Sequence, residues 1–306
     1  MIRFLARRLA QAVVILLGVT VVTFALAFLI PADPARMIAG RAATVETVAS
    51  IRHQLGLDQP IPVQYARYLG RLAQGDLGRS YAQKTEVVEL IGSRLPATLL
   101  LLAGAIFCEL AIGLPAGIFA ATRRGRFADR AVMTLSFVGV SAPQFVVGLL
   151  LLYVFAYLLG LFPLSGYGGL EHLVLPALTL GLAGGGFYSR MTRASMVGVL
   201  GQDYIRTARA KGVAETGVVL RHGLRNAILP IVAMIGIDIG LFMSGAVVVE
   251  SVFGWPGIGQ LAWQAIQRVD IPIMMGVTLT AATAIVLGNV IADLATALID
   301  PRIRLN

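Results

Sequence analysis

Long uncharged runs alternate with short charged ones along this chain, and the uncharged runs set its architecture. A helix that crosses a membrane needs about 20 consecutive apolar residues. Runs of that length occur at Leu9 to Ile30, Leu95 to Ala121, Ala131 to Leu161, Leu173 to about Val197, Ala227 to Val249 and Ile271 to Ile299. The pattern predicts an all-α, polytopic membrane helix bundle with six transmembrane helices, so that both termini lie on one side. The opening "MIRFLARR" has the look of a secretory leader. The run behind it exceeds the apolar core of about 7 to 15 residues in such leaders and has no small-residue cleavage site, so it predicts a retained anchor helix.

Basic residues give the orientation, because loops rich in Lys and Arg stay in the cytoplasm. They cluster before the first run (Arg3, Arg7, Arg8), after the second (Arg123, Arg124, Arg126, Arg130), around the loop after the fourth (Arg190, Arg193, Arg206, Arg209, Lys211, Arg221, Arg225) and in the tail (Arg302, Arg304). Sixteen of the 25 basic residues therefore share one face. The opposite face has Arg268, plus eight in the long segment after the first run, and segments above about 60 residues translocate largely regardless of charge. Both termini are expected in the cytoplasm. The chain divides into residues 1–30 (N-terminus and first transmembrane helix), 31–94 (an extracytoplasmic helical segment) and 95–306 (the core, with a cytoplasmic loop at 198–226).

Within the outer segment, Val48, Ile51 and Leu55 recur at helical spacing, and Tyr65, Leu69 and Leu72 repeat the pattern. Pro60 and Pro62 separate the two, and Gly75 closes the second. Two short amphipathic helices form a small cap, either a folded spacer on the bundle or a docking surface for an extracytoplasmic partner. Leu-Pro pairs at Leu95 and Pro96, Leu175 and Pro176, and Leu229 and Pro230 predict proline in first helical turns, where its missing N–H costs nothing. Gly184 to Gly186 predict close helix approach.

Composition removes several classes of function. Of 306 residues, 57% are hydrophobic and 13% charged, against about 25% charged in soluble domains. The net charge of +9 does not point to nucleic acid, since the basic residues sit between apolar runs rather than on a folded polar surface. Cys108 is the sole cysteine, which excludes an intrachain disulfide and a cysteine metal cluster. His53, His172 and His222 have no metal-ligand spacing. Neither Lys84 nor Lys211 follows a glycine as a P-loop lysine does. The chain is expected to hold no metal or cofactor and to hydrolyse no ATP itself.

Three carboxylates lie in or beside spans: Glu109, Asp238 and Asp293. A charge at the bilayer centre costs roughly 2.5 to 3.5 kcal/mol on insertion scales, so each must face protein, water or a partner. Asn289 and Asp293, four residues apart, can share a helix face. Such groups line a pathway or pair helices; the other reading is a proton or ion relay in a secondary transporter.

Two stretches carry the most information. In "DYIRTARAKGVAETGVVLRHGLRNAILP", residues 203–230, Ile205, Ala208 and Gly212 fall on one helical face and Arg206 and Arg209 on another. A short surface helix with a small-residue side suits insertion into a cleft of a second protein; the plainer reading is a solvated positive loop. In "FGWPGIGQ", Phe253 and Trp255 suit a membrane interface, while Pro256, Gly257 and Gly259 force a turn. This element is an interfacial anchor, or a gate or docking site.

The 203–230 stretch resembles the cytoplasmic "EAA" loop of ATP-binding-cassette (ABC) importer permeases, in the branch for dipeptides, oligopeptides and nickel. Arg206, Thr207 and Ala208 occupy the EAA positions, with only Ala208 matching the general pattern. Gly212 matches its glycine, and Leu224 its later leucine, with Arg225 in place of the proline. "PVQYARYLGRLAQGDLGRS", "RLPATLLL", "VVVESVFGWPGIGQLAWQAIQRVDIPIMMG" and "DPRIR" are similar to successive parts of that branch's first permease subunit.

The resemblance implies a multi-pass permease half in the cytoplasmic (inner or plasma) membrane of a prokaryote, working by alternating access. Its implied partners are a second permease, two cytoplasmic ATP-binding subunits that carry ATP and Mg, and an extracytoplasmic substrate-binding protein. Arg206, Thr207, Ala208, Arg209, Lys211, Gly212, Leu224 and Arg225 are its expected ATPase-coupling residues. Di- and oligopeptides are the expected substrates. Nickel, glutathione, haem and oligosaccharides stay open because the binding protein selects, and the adjacent Met274 and Met275 do not face together on a helix. An ion-coupled secondary transporter is the alternative from another class.

Overall fold

The structure, a computed structural model, describes residues 2–29, 33–40, 43–243 and 245–299. Among the described residues every extended element is a helix, and the only strand-like pairing is a single bridge between Arg79 and Glu86. Helices α1 (Ile2–Leu29), α5 (Val87–Thr122), α8 (Leu170–Leu200) and α14 (Ile271–Ile299) are each long and apolar enough to cross a membrane. Two bent pairs pass the same test together, α6 (Phe127–Ser141) with α7 (Gln144–Leu158), at 100°, and α10 (Glu215–Ala227) with α11 (Leu229–Met243), at 50°, so the described residues hold four crossings, or six where each bent pair is one span.

The first bend divides the third apolar run, Ala131 to Leu161, into two helices. Pro143 has no N–H to continue the helix, and it pushes Ala142 into an extended conformation (φ −71°, ψ 128°). The fifth run also ends early: α11 stops at Met243, and the separate α12 (Val247–Phe253) takes up its remainder. The Leu-Pro expectation holds at Pro230 but not at Pro96 or Pro176, which lie inside α5 and α8. Helix α5 begins at Val87, eight residues before the uncharged run. Proline survives inside membrane helices because neighbouring elements satisfy the freed backbone groups. The tail "DPRIR", with Arg302 and Arg304, lies outside the described residues.

Small residues set the helix spacing. Helices α5 and α8 touch along their lengths so closely that a Cβ at Gly113 would sit 2.3 Å from that of Tyr188, and one at Gly117 2.5 Å from that of Thr192. Helices α11 and α14 approach in the same way, Gly236 against Ala292. Apolar lipid gives little hydrophobic drive between helices, so this close packing supplies the association. The expected close approach at Gly184 to Gly186 is present: Gly184 faces the Glu109 carboxylate and Gly186 the Ser136 carbonyl.

At one end of the bundle lies the cap, made of α2 (Pro34–Ala39), α3 (Val45–Gln54) and α4 (Ile61–Ala73). It is fastened to the end of α1 by aromatic contacts, Phe24 to Tyr65 at 5.2 Å and Phe24 to Tyr68 at 5.9 Å, and by a 2.9 Å hydrogen bond between Thr20 and the Tyr65 hydroxyl. Tyr68 is the buried anchor, whereas Tyr65, Leu69 and Leu72 are half-buried. Helix α3 packs more loosely: Val48 and Ile51 are half-buried and Leu55 is exposed.

Candidate coupling loop and buried polar sites

At the end of the bundle opposite the cap, α9 (Asp203–Ala210) leads through Gly212 into α10. Gly212 has φ +77°, and no atom lies within 4 Å of where its Cβ would be. The glycine is required for its left-handed backbone and not for closeness to a neighbour. It donates to the Arg209 carbonyl at 2.9 Å and thereby closes the helix.

Ile205 and Ala208 turn inward, where they pack on Val218 and Leu200 of the same chain. This corrects the expected small-residue face for a partner's cleft, since that face is already covered from within. A helix of two turns is marginal by itself, so its apolar stripe is buried against the segment that follows. Arg209 forks onto Glu215 at 2.7 and 3.0 Å, and Asn226 donates to the Tyr204 hydroxyl at 3.0 Å. The outward face presents Tyr204, Arg206, Thr207, Arg209 and Lys211. Arg225 is exposed on α10, while Leu224 is half-buried beside Ala121, Met196, Val219 and Ala227.

The intramembrane acids separate into different neighbourhoods. Glu109 of α5 is buried against Gly184 of α8, and Asp238 of α11 accepts a hydrogen bond from the Tyr188 hydroxyl of α8. The Tyr188–Asp238 bond ties α8 to α11, while Glu109 sits between α5 and α8 with its Oε2 buried and unpartnered. Asp293 instead pairs with Arg8, linking α14 to α1. Asn289 is exposed on a groove with Gly236, Gly240 and Ile285, so the shared face expected for Asn289 and Asp293 brings no joint site.

The aromatic residues of the "FGWPGIGQ" stretch are packed inside the chain. Trp255 is fully buried; its Nε1 donates to the Ala97 carbonyl at 2.9 Å, and its ring meets Tyr167 edge-on at 4.9 Å. Phe253 is buried against Gly148, and Pro256 is half-buried. Gly257 opens α13 (Ile258–Arg268), and a Cβ there would strike the Glu250 carboxylate at 2.2 Å.

Three carboxylates escaped the reading of the sequence. Glu250 of α12 is fully buried, and its Oε2 accepts from the Gln260 backbone N–H in the first turn of α13 at 2.6 Å. Burial pushes its carboxyl up to about 7. Asp270, also fully buried, accepts from the Ser80 hydroxyl at 2.5 Å and the Ala82 N–H at 3.0 Å, fastening the loop before α5 to the start of α14. Asp129 receives a two-pronged Arg193 guanidinium at 2.5 and 2.7 Å, joining the start of α6 to the end of α8. The available signal was a lone acid at the edge of an apolar run beside a glycine turn, as in "VVVESVFGWPG".

A bundle of long apolar helices with an exposed basic loop helix is the architecture of a polytopic membrane protein. Residues 113–305 match the family described as binding-protein-dependent transport system inner membrane component, and residues 1–102 match its N-terminal counterpart. The chain belongs to this family, and is an inner-membrane permease subunit of an ABC importer whose ATP hydrolysis is supplied by partner subunits. It is 43% identical over 304 residues to the glutathione transport system permease protein GsiC of Salmonella paratyphi A (strain ATCC 9150 / SARB42), covering 99% of both chains. The GsiC of Escherichia coli (strain K12) is 42% identical with the same coverage. Among solved structures, an inward-facing MetNI methionine ABC transporter shares the fold, with a TM-score of 0.59 and 19% identity over 69% of this chain and 96% of that one.

Proposed function

We propose that this chain forms half of an ATP-driven, alternating-access pathway for peptides of glutathione's size and charge. The observation that carries this reading is the 43% identity across 99% of both chains to permeases that are themselves named for glutathione transport. The reading narrows the expectation of di- and oligopeptides and keeps nickel as the outcome that would overturn it.

In this reading the other pathway half is a second permease, and an extracytoplasmic binding protein delivers the substrate. Two cytoplasmic subunits bind ATP and Mg and meet the outward face of α9, with Arg206, Thr207, Arg209 and Lys211 at the contact and Arg225 beside it. Glu109 and Asp238 act as polar ties between helices. Both termini lie in the cytoplasm, supported by sixteen of 25 basic residues on that face; a reporter fused after Gly75 that is active in the cytoplasm would refute the orientation.

The test is uptake by proteoliposomes that contain the full complex and its binding protein. Labelled glutathione should enter, uptake should stop on ATP depletion, and it should survive collapse of the proton gradient. Uptake of nickel alone refutes the substrate class. Uptake that follows the proton gradient and ignores ATP refutes the energy source.

A further inference from the structure

Away from the loop and the acids, a cavity of about 1100 Å³ lies where the cap meets the bundle. Phe24 at the end of α1 and Met275 near the start of α14 form part of its apolar wall. Arg67, Arg71, Arg79 and Lys84 line it from the cap and from the loop before α5. Arg67 and Arg71 are one helical turn apart, so both project from the same side of α4.

The charges do not cancel. Asp33 and Asp76 are the two carboxylates among the lining residues, set against Arg52 and the four cations named above. Asp33 is paired with Arg52 at 2.5 Å, and Asp76 accepts from the Gly78 N–H at 2.7 Å. A surplus of positive charge therefore faces the cavity. Part of its apolar wall, at Phe24, Ala27, Ile271, Pro272 and Met275, belongs to two membrane helices, and one face of α1 is exposed along its apolar length. The volume exceeds the roughly 300 to 1,000 Å³ of ordinary small-molecule pockets, which leaves room for a headgroup and the first part of an acyl chain.

We propose that this cavity binds an anionic phospholipid from the adjacent leaflet, with Arg67, Arg71 and Lys84 on the phosphate and the first acyl methylenes against Phe24 and Met275. Guanidinium groups match phosphate oxygens in pairs, and basic pockets beside membrane helices select anionic headgroups. The apolar wall separates this ligand from a soluble anion. Inorganic phosphate and glutathione satisfy the cations but have no acyl chain to cover Ile271, Pro272 and Met275.

Native mass spectrometry of the full chain assembled with its partner subunits tests the proposal, using phosphatidylglycerol and phosphatidylcholine of matched chains as probes. Retention of one phosphatidylglycerol in preference to phosphatidylcholine is expected, with about tenfold weaker retention in the Arg67→Gln, Arg71→Gln double variant. Met275→Trp, which fills the apolar wall and leaves the cations in place, should also release the lipid. If the double variant fails to assemble, Met275→Trp and the charge-keeping Arg67→Lys decide, the first losing the lipid and the second keeping most of it. Equal retention of the two lipids, unchanged retention in Met275→Trp, or displacement of the phosphatidylglycerol by millimolar inorganic phosphate or glutathione would overturn the proposal.

Discussion

Residues 245–270 and residues 203–227 are both short helices joined through glycine turns, yet one buries its polar groups and the other displays them. In the first, Trp255, Glu250 and Asp270 are completely enclosed: Trp255 bonds a backbone group of α5, Asp270 one of the segment before α5, and Glu250 accepts the Gln260 N–H on one oxygen. In the second, a small apolar contact of Ile205, Ala208 and Val218 fastens α9, while its cations face outward. Buried polar networks are expensive to break and specify one arrangement. A thinly fastened, exposed helix can be grasped by a partner and moved as a unit. The difference teaches that rigidity lies at the end toward the cap and adaptability at the end that carries α9.

The comparison is broken most directly at Trp255. Trp255→Ala removes a fully enclosed indole and should cost about 3 to 5 kcal/mol, seen as a large fall in unfolding temperature and membrane abundance. Trp255→Phe, which keeps much of the volume and leaves the Ala97 carbonyl without its donor, should fall between the two. A wild-type unfolding temperature in Trp255→Ala would show that this end is not the rigid one.

A pH titration asks whether the enclosure of Glu250 is real. Its folded carboxyl titrates at about 7 against an ordinary 4.5, so between those values the folded protein binds more protons than the unfolded chain. Its stabilising contribution is complete below pH 4.5 and is lost as pH rises through about 7, a change on the order of 3 kcal/mol. Stability of wild type relative to Glu250→Gln should therefore decline across that window. Parallel pH profiles for the two proteins would refute burial of the carboxyl.

At the other end, Ala208→Phe overfills the contact with Val218 and should cost about 1 to 3 kcal/mol locally. Protease cleavage within residues 203–227 should rise and recovery of the ATP-binding subunits should fall, while membrane abundance stays near wild type. Equal loss of abundance would mean that this loop is as integral as the first. The smallest effect is expected at Gly212, where only backbone strain opposes a side chain. Gly212→Ala should weaken coupling by about 1 kcal/mol, and Gly212→Asn should do less because Asn tolerates a left-handed backbone. Substrate-stimulated ATP hydrolysis ranks the two, and a larger defect for Asn would point to contact rather than conformation.

Hydrophobic run length, basic-residue asymmetry and the 203–230 stretch made the class of this protein legible without coordinates. Those signals depend on the bilayer: backbone groups in hydrocarbon must be satisfied within a helix, and each crossing therefore writes itself into a contiguous stretch of sequence. The same logic located α9, the turn at Gly212 and the close approach at Gly184 to Gly186. It failed where direction mattered. Ala208, expected on a face for a partner, is packed inside the chain, and Trp255, expected as an interfacial anchor or in a gate or docking site, is enclosed.

What the sequence determined by itself was the helical, membrane-spanning class and the position of the loop, because these follow from local chemistry repeated along the chain. Only the tertiary structure decided that the third and fifth crossings bend, that Asp238 meets Tyr188 while Asp293 meets Arg8, and that Glu250 and Asp270 are buried. Those outcomes join residues up to 285 positions apart, as Arg8 and Asp293 show. No local periodicity encodes such a pairing; it arises when helices dock and each buried polar group takes the partner that the packing brings within reach.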